Sequence, residues 1–211
     1  MRAFCDENEF AAYIDDMTSV VLYQATTEQV AVARINDLIE SLNLQNEILT
    51  QDYKLTIHAG AYRLRRQKDS TDRIFYIVNE AYRYAEAQEI PYYFADGAFI
   101  KFVERRALLQ RETVQAVKKG QILYYMQYIV DVKKNCIYGA EGLSRWEHPR
   151  EGLLTPGVYI GLMRQAKAID FLDYYMFERS CQQLERWERA GLTEFCVSCN
   201  FDRLTIGAPD F

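Results

Sequence analysis

The sequence predicts an α/β fold. Apolar residues recur with period two in some segments and with helical period in others, and the two kinds alternate along the chain. Helix start and stop residues bracket the helical stripes: Ser70 and Pro156 before two of them, Gly120 and Gly191 after two more. Two strand-like runs, 122–132 and 136–146, are separated only by Lys133, Lys134 and Asn135, the spacing of a hairpin.

The elements follow in order. Residues 2–5 and 11–14 read as a strand pair flanking an acidic segment, and 20–23 as another short strand. Thr26 or Thr27 caps a helix whose stripe is Val30, Ala31, Ile35, Leu38, Ile39 and Leu42. Residues 53–64 alternate and are rich in β-formers; Gly60 within them implies a bulge or close backbone approach. The basic run 63–68 has no interleaved aromatics and reads as a solvated turn. Asp69, Ser70 or Thr71 caps a helix through Gln88, Pro91 follows its end, and 92–95 form a strand. Residues 100–119 form a helix closed by Gly120. After the hairpin, 148–157 read as a loop. Thr155 and Pro156 start a helix to about Ala168, and a longer one runs from Asp170 to Gly191. Its predicted buried face is Tyr174, Phe177, Cys181, Leu184 and Trp187. Residues 195–200 make a last strand. The best domain boundary lies within 97–108, giving units 1–104 and 105–211.

Composition narrows the function. The chain has 211 residues, 25 Lys+Arg against 30 Asp+Glu, a net charge of -5 and 49% hydrophobic residues, ordinary for a globular protein. Mild acidity gives no electrostatic grip on a nucleic acid polymer. No apolar run approaches the ~18 residues of a membrane span, and the N-terminus has no secretory signal. Five dispersed cysteines do not form a disulfide framework, so the expected location is the cytoplasm. Cys196 and Cys199 form a lone CxxC, and in a strand their side chains would point to opposite faces. Trp146, Trp187 and His148 read as structural.

The second half carries the stronger motif series: YMQYIVD (125–131), IYGAEGLSRWEHP (137–149), GLLTPGVYI, LDYYMFERSCQQLERW and VSCNFDRL. In this order and spacing it resembles the amino-terminal part of the EAL domain, the bacterial cyclic di-GMP phosphodiesterase family. The resemblance implies a β/α (TIM-like) barrel, with Mg²⁺ or Mn²⁺ as cofactor and cyclic di-GMP as partner. It places Glu141 and Asn200 as metal ligands, Arg145 on the ligand's phosphate and Gln127 near its guanine. One carboxylate and one amide oxygen suit a hard cation, and barrel sites form at the carboxyl ends of strands, near which Glu141 is expected. Taken alone, Glu141 would be a strand-edge carboxylate, Asn200 a turn former, and Arg145 a partner for Glu141 or Glu147. Gly142, Tyr128 and Asp202 depart from the family pattern and are expected to alter bulk beside the pocket.

The first half resembles the C-terminal half of the GGDEF diguanylate cyclase domain, through residues 2–16, the Gly60 strand and the helix 72–86. There Asp6, Glu7, Asn8, Glu9 and Phe10 stand where the signature would be. Two acidic residues replace its glycines and Asn8 replaces an acidic metal ligand, so cyclase activity is not expected. The remaining EAL motifs, including its base-bearing aspartates, would follow Phe211. About three of eight barrel strands are expected, leaving no assigned catalytic base and an open barrel whose edges would favour a homodimer. The expectation is a fragment of a cyclic di-GMP signalling protein, its parent a metal-dependent phosphodiesterase and the chain alone not catalytic. The alternative is a non-enzymatic cyclic di-GMP receptor or protein-interaction module.

Overall fold

The structure, a computed structural model, describes residues 5–15, 17–49, 56–64, 69–209 and 211. It divides the chain into two units, Met1–Val103 and Glu104–Phe211.

The first unit opens with a hairpin, β1 (Phe10–Tyr13) against β2 (Ser19–Leu22), in antiparallel register from Phe10↔Leu22 to Tyr13↔Ser19. The expected pairing of residues 11–14 with 2–5 falls largely outside the described residues. The short turn, closed by Ile14 N–H on the Thr18 carbonyl at 2.9 Å, brings the next strand back at once; residues 2–4 lie outside the described residues, and Cys5 is in no strand. Helix α1 (Glu28–Leu49) starts where Thr27 Oγ1 accepts from Val30 N–H at 3.2 Å, and it buries Ala31, Ile35 and Ile39, each one turn beyond the last. Of its expected stripe, Val30 is exposed.

Strand β3 (Ala59–Tyr62) pairs in parallel with β4 (Tyr92–Ala95), and α2 (Thr71–Ala87) makes the crossover. The described strand is shorter than the predicted 53–64, of which 53–55 fall outside the described residues. Gly60 does mark close approach: a Cβ there would sit 2.2 Å from the Val78 carbonyl oxygen and 2.4 Å from Tyr82 N. The glycine lets α2 lie directly on the strand, so Ile77, Ala81, Ala95, Phe99, Ile100 and Val103 form one core. Helix α3 (Gly97–Lys118) begins before the predicted Ile100 because Asp96 Oδ1 accepts from Phe99 N–H at 2.7 Å and caps it. Gly120, at φ +66°, ends it.

The second unit is built on a long strand. β5 (Ile122–Asp131) and β6 (Cys136–His148) form the hairpin, turned by Asp131 Oδ1 accepting from Lys133 N–H and Lys134 N–H at 2.9 and 3.1 Å. The predicted loop 148–157 holds a strand, β7 (Gly152–Leu154), which pairs with Trp146–His148 and so extends β6 past its predicted end. α4 (Pro156–Gln165) and α5 (Ile169–Arg189) follow, and β8 (Cys196–Ser198) pairs in parallel with Gly139–Glu141 of β6. α6 (Arg203–Ile206) is a single turn.

Along β6 the residues at 140, 142, 144, 146 and 148 are buried, and those between them are not. The buried face meets Leu109 and Ala116 of α3 and the apolar sides of α4 and α5, around Trp146, Tyr159 and Met163. The buried face of α5 is a correction: Ile169, Leu172, Asp173, Met176 and Ser180 face inward, while Tyr174 and Phe177 are about half exposed and Cys181 is exposed. The helix packs closely on Gly142, where a Cβ would lie 3.2 Å from Ser180 Oγ, and that proximity favours the narrow side of the helix over the aromatic one. Trp187 is half-buried, edge-on to Phe195 at 5.3 Å, whereas Trp146 is fully buried.

Candidate functional site

The half-open face of β6 gathers the predicted ligand residues. Glu141 is directly opposite Gln127 in the antiparallel register and opposite Ser198 in the parallel one. Paired residues share a face, so Gln127, Glu141 and Ser198 make a row across three strands. Asn200 lies just beyond the end of β8, and its Nδ2 donates to Glu141 Oε1 at 2.6 Å, joining residues 59 apart in sequence. Glu141 itself sits in the first half of β6, not near its end, because β7 prolongs the strand; the strand end beside the site is that of β8.

Arg145 is two rows further along the same face, beyond Leu143 and opposite Leu123. Among the described residues it pairs with neither Glu141 nor Glu147. Its Nη1 donates to the Ser144 carbonyl at 2.7 Å and its guanidinium lies over the Tyr125 ring, 5.6 Å from the centroid. A stacked guanidinium has further N–H groups that can donate to an anionic oxygen.

The departures from the motif pattern do not crowd this face. Gly142 and Tyr128 alternate with Glu141 and Gln127 and so point away from them. At Gly142 the missing methyl is replaced from outside: an added Cβ would lie 2.9 Å from Tyr124 Cε2, and the Tyr124 hydroxyl is 3.1 Å from Ser180 Oγ. Asp202 caps α6, accepting from Leu204 N–H at 3.0 Å, and accepts from Arg164 Nε at 2.5 Å. Burial works against its charge, yet those two donors hold its carboxyl below the usual range.

Glu141 and Asn200 were expected to hold a divalent metal. They are hard oxygen donors, and a half-turn of the amide would present Oδ1 in place of Nδ2. Among the described residues no group of three His, Cys, Asp or Glu is arranged to hold a metal, the Cys196–Cys199 pair included. Two such donors would leave most of a hard cation's coordination positions to water.

The segment Asp6–Phe10 has a different character. Asp6, Glu7 and Asn8 are exposed, and Phe10 opens β1. Glu9 turns inward. Its carboxylate accepts from Arg34 Nη1 and Nη2 at 2.5 and 2.7 Å, from Gln24 N–H at 3.0 Å and from Asp6 N–H at 3.0 Å. These donors, the Arg34 guanidinium foremost, lower its pKa to about 2. With four bonds accepted, this carboxylate staples a loop to a helix and has little capacity left for a metal.

A structural group escaped the sequence reading. Asp173 on α5 is buried, and its Oδ2 accepts from Asp202 N–H at 2.8 Å and Thr205 Oγ1 at 2.5 Å. Burial raises its pKa above the usual carboxylate value, against the lowering effect of the two bonds. The available signal was an acidic residue between Leu172 and Met176 on what proves to be the buried stripe. His148, also buried, is structural as expected: Nε2 meets Glu112 Oε2 at 2.7 Å, while Nδ1 accepts from Arg150 N–H at 3.3 Å and Glu151 N–H at 3.1 Å.

Fold and site together define a β/α unit with a carboxylate–amide pair at the end of a parallel strand. Residues 110–211 match the family model of the EAL domain. An uncharacterized protein of Synechocystis sp. is 31% identical over 105 residues, which are 50% of this chain and 15% of that protein. In Pseudomonas aeruginosa, the cyclic di-GMP phosphodiesterase NbdA is 33% identical over 99 residues (47% of this chain, 13% of NbdA). The bifunctional diguanylate cyclase/cyclic di-GMP phosphodiesterase MucR is 26% identical over 113 residues (54% and 16%). The chain thus aligns with 13–16% of the length of these curated relatives. A solved structure of the PaMucR phosphodiesterase in complex with c-di-GMP is similar over 48% of this chain and 41% of its own, with 26% identity and a TM-score of 0.47.

Proposed function

We propose that the second unit binds cyclic di-GMP on the open face of β5, β6 and β8, and contributes to metal-dependent phosphodiesterase chemistry. Glu141 and Asn200 would hold Mg²⁺ or Mn²⁺, Arg145 would contact a ligand phosphate, and Gln127 would face the guanine side. The observation that carries this reading is the 2.6 Å Asn200–Glu141 contact: β8 pairing brings together the two residues that the motif resemblance marks as metal ligands. A bound divalent cation would polarise the phosphodiester and acidify its own water. This chain's residues would position the ion, neutralise the phosphate through Arg145 and orient the base.

The first unit is, in this proposal, a degenerate cyclase-like module without cyclase activity. Its support is Glu9, whose carboxylate is taken up by Arg34, Gln24 and Asp6. The whole would serve cytoplasmic cyclic di-GMP signalling; no described helix is long and apolar enough to cross a membrane. A receptor that binds without turnover is the second reading, favoured by a site with two metal donors and no third acidic or imidazole group among the described residues.

Calorimetry of the full chain with cyclic di-GMP, with and without Mn²⁺, beside a hydrolysis assay, tests both. We expect Mn²⁺ to tighten binding and Glu141→Ala to abolish that gain. Binding indifferent to both Mn²⁺ and Glu141→Ala would reject the metal assignment. Product formation lost in Glu141→Ala selects the phosphodiesterase over the receptor.

A further inference from the structure

We propose that Asp173 is a positioning residue for Asn200, acting through the Asp202–Thr205 turn from the helical side of β8. Asn200 lies between two fixed points. Upstream, Val197 and Ser198 are laddered to Ala140 and Glu141. Downstream, the backbone of Asp202 is held by Asp173 Oδ2 at 2.8 Å, and one turn on Thr205 Oγ1 donates to the same oxygen at 2.5 Å. Only Cys199 separates Ser198 from Asn200 and only Phe201 separates Asn200 from Asp202, so the path through Asn200 has little slack. A second tether, from α4, strengthens the downstream point: Arg164 Nε donates to Asp202 Oδ2 at 2.5 Å.

The burial of these groups shows that the arrangement is specific. Asp173 is 6% exposed and Thr205 1%, at positions where an apolar pair would avoid the desolvation cost. What the polar pair adds is direction: a carboxylate oxygen accepts a backbone N–H and a hydroxyl along defined lines, which apolar packing does not. The Asn200 side chain then reaches Glu141 at 2.6 Å. Groups of this kind behind a ligand typically set affinity by about 10–100-fold when removed.

The inference rests on the proposed role of Asn200 for its purpose, though not for its geometry, and the test separates the two. In full-length protein labelled with ¹⁵N-asparagine, the Asn200 side-chain amide resonance is assigned by its loss in Asn200→Asp. Asp173→Leu should move that resonance toward the position of a free amide, and Asp173→Asn, which keeps an acceptor oxygen, should restore it. Thr205→Val, which deletes only one donor, should move it part of the way and serves if Asp173→Leu fails to fold. A folded Asp173→Leu or Thr205→Val with the wild-type Asn200 resonance would overturn the proposal, whatever its melting temperature. Mn²⁺ titration on the same samples tests the metal role. Broadening of the wild-type resonance at a Mn²⁺ concentration about tenfold or more below that needed by Asp173→Leu is expected. Equal concentrations in the two proteins would overturn the link to metal affinity. Absence of broadening in the wild type would reject the metal role of Asn200 and leave the positioning result to the resonance shifts.

Discussion

Asp173 concentrates the opposing forces of the second unit in one side chain. Its oxygen accepts two hydrogen bonds, but its charge is buried with Asp202 and Asp170 nearby. Burial is the leading cause of its raised pKa, and the sign for stability follows. A carboxyl whose folded value lies above its unfolded one favours folding in acid, and that contribution is lost as pH rises through the folded value. Asp173→Asn keeps an acceptor and removes the charge. At pH 7 we expect it to be neutral or stabilising by up to about 1 kcal/mol, with the difference shrinking toward pH 4 in urea unfolding. Asp173→Ala leaves the Asp202 N–H and the Thr205 hydroxyl without their acceptor and should cost roughly 1–3 kcal/mol.

Among the elements, those with long periodic patterns were legible. α2 and β4 lie where the sequence put them, and the β5–β6 hairpin turns at its predicted residues. What escaped was tertiary. β7 is three residues in a glycine-rich loop and exists because β6 offers it an edge. The inward face of α5 could not be chosen from periodicity, since both of its stripes fit a helix; the close approach of its Ser180 to Gly142 decides it. The site divides the same way. Glu141, Asn200, Gln127 and Arg145 were marked by motif resemblance, but their common face depends on strand register and Asp173 on a helix rotation. The α5–β6 packing makes its own prediction. Gly142→Ala would push a methyl to 2.9 Å from the Tyr124 ring and should destabilise by about 1–3 kcal/mol. Adding Tyr124→Leu, which vacates that space, should recover part of the loss. A double variant no more stable than Gly142→Ala in chemical denaturation would contradict this packing account.

At the scale of the whole molecule, the two units should answer acid differently, and the chain carries a means to see it. Both of its tryptophans, Trp146 and Trp187, are in the second unit, so their fluorescence reports that unit alone. Far-UV circular dichroism reports both. In the first unit, Glu9 is held at about 2 chiefly by Arg34, and Asp15 is lowered by the Met17 N–H and Thr18. Depressed carboxyls stabilise the fold above their unfolded values, and that stability is lost as pH falls through the folded ones. For Glu9 the window runs from 4.5 down to about 2. The second unit has lowered carboxyls too: Glu112 beside His148, and Asp202, where Leu204 N–H and Arg164 outweigh burial. There the raised Asp173 works in the opposite direction and offsets part of the loss. Between pH 5 and pH 3, the dichroism midpoint in thermal unfolding should therefore fall further than the tryptophan midpoint. Glu9→Gln should lower the dichroism midpoint at pH 7 and flatten its pH dependence, leaving the fluorescence transition in place. Parallel descent of both midpoints in the wild type, or a Glu9→Gln effect of equal size on both probes, would show that the Glu9–Arg34 staple does not govern the acid response of the first unit.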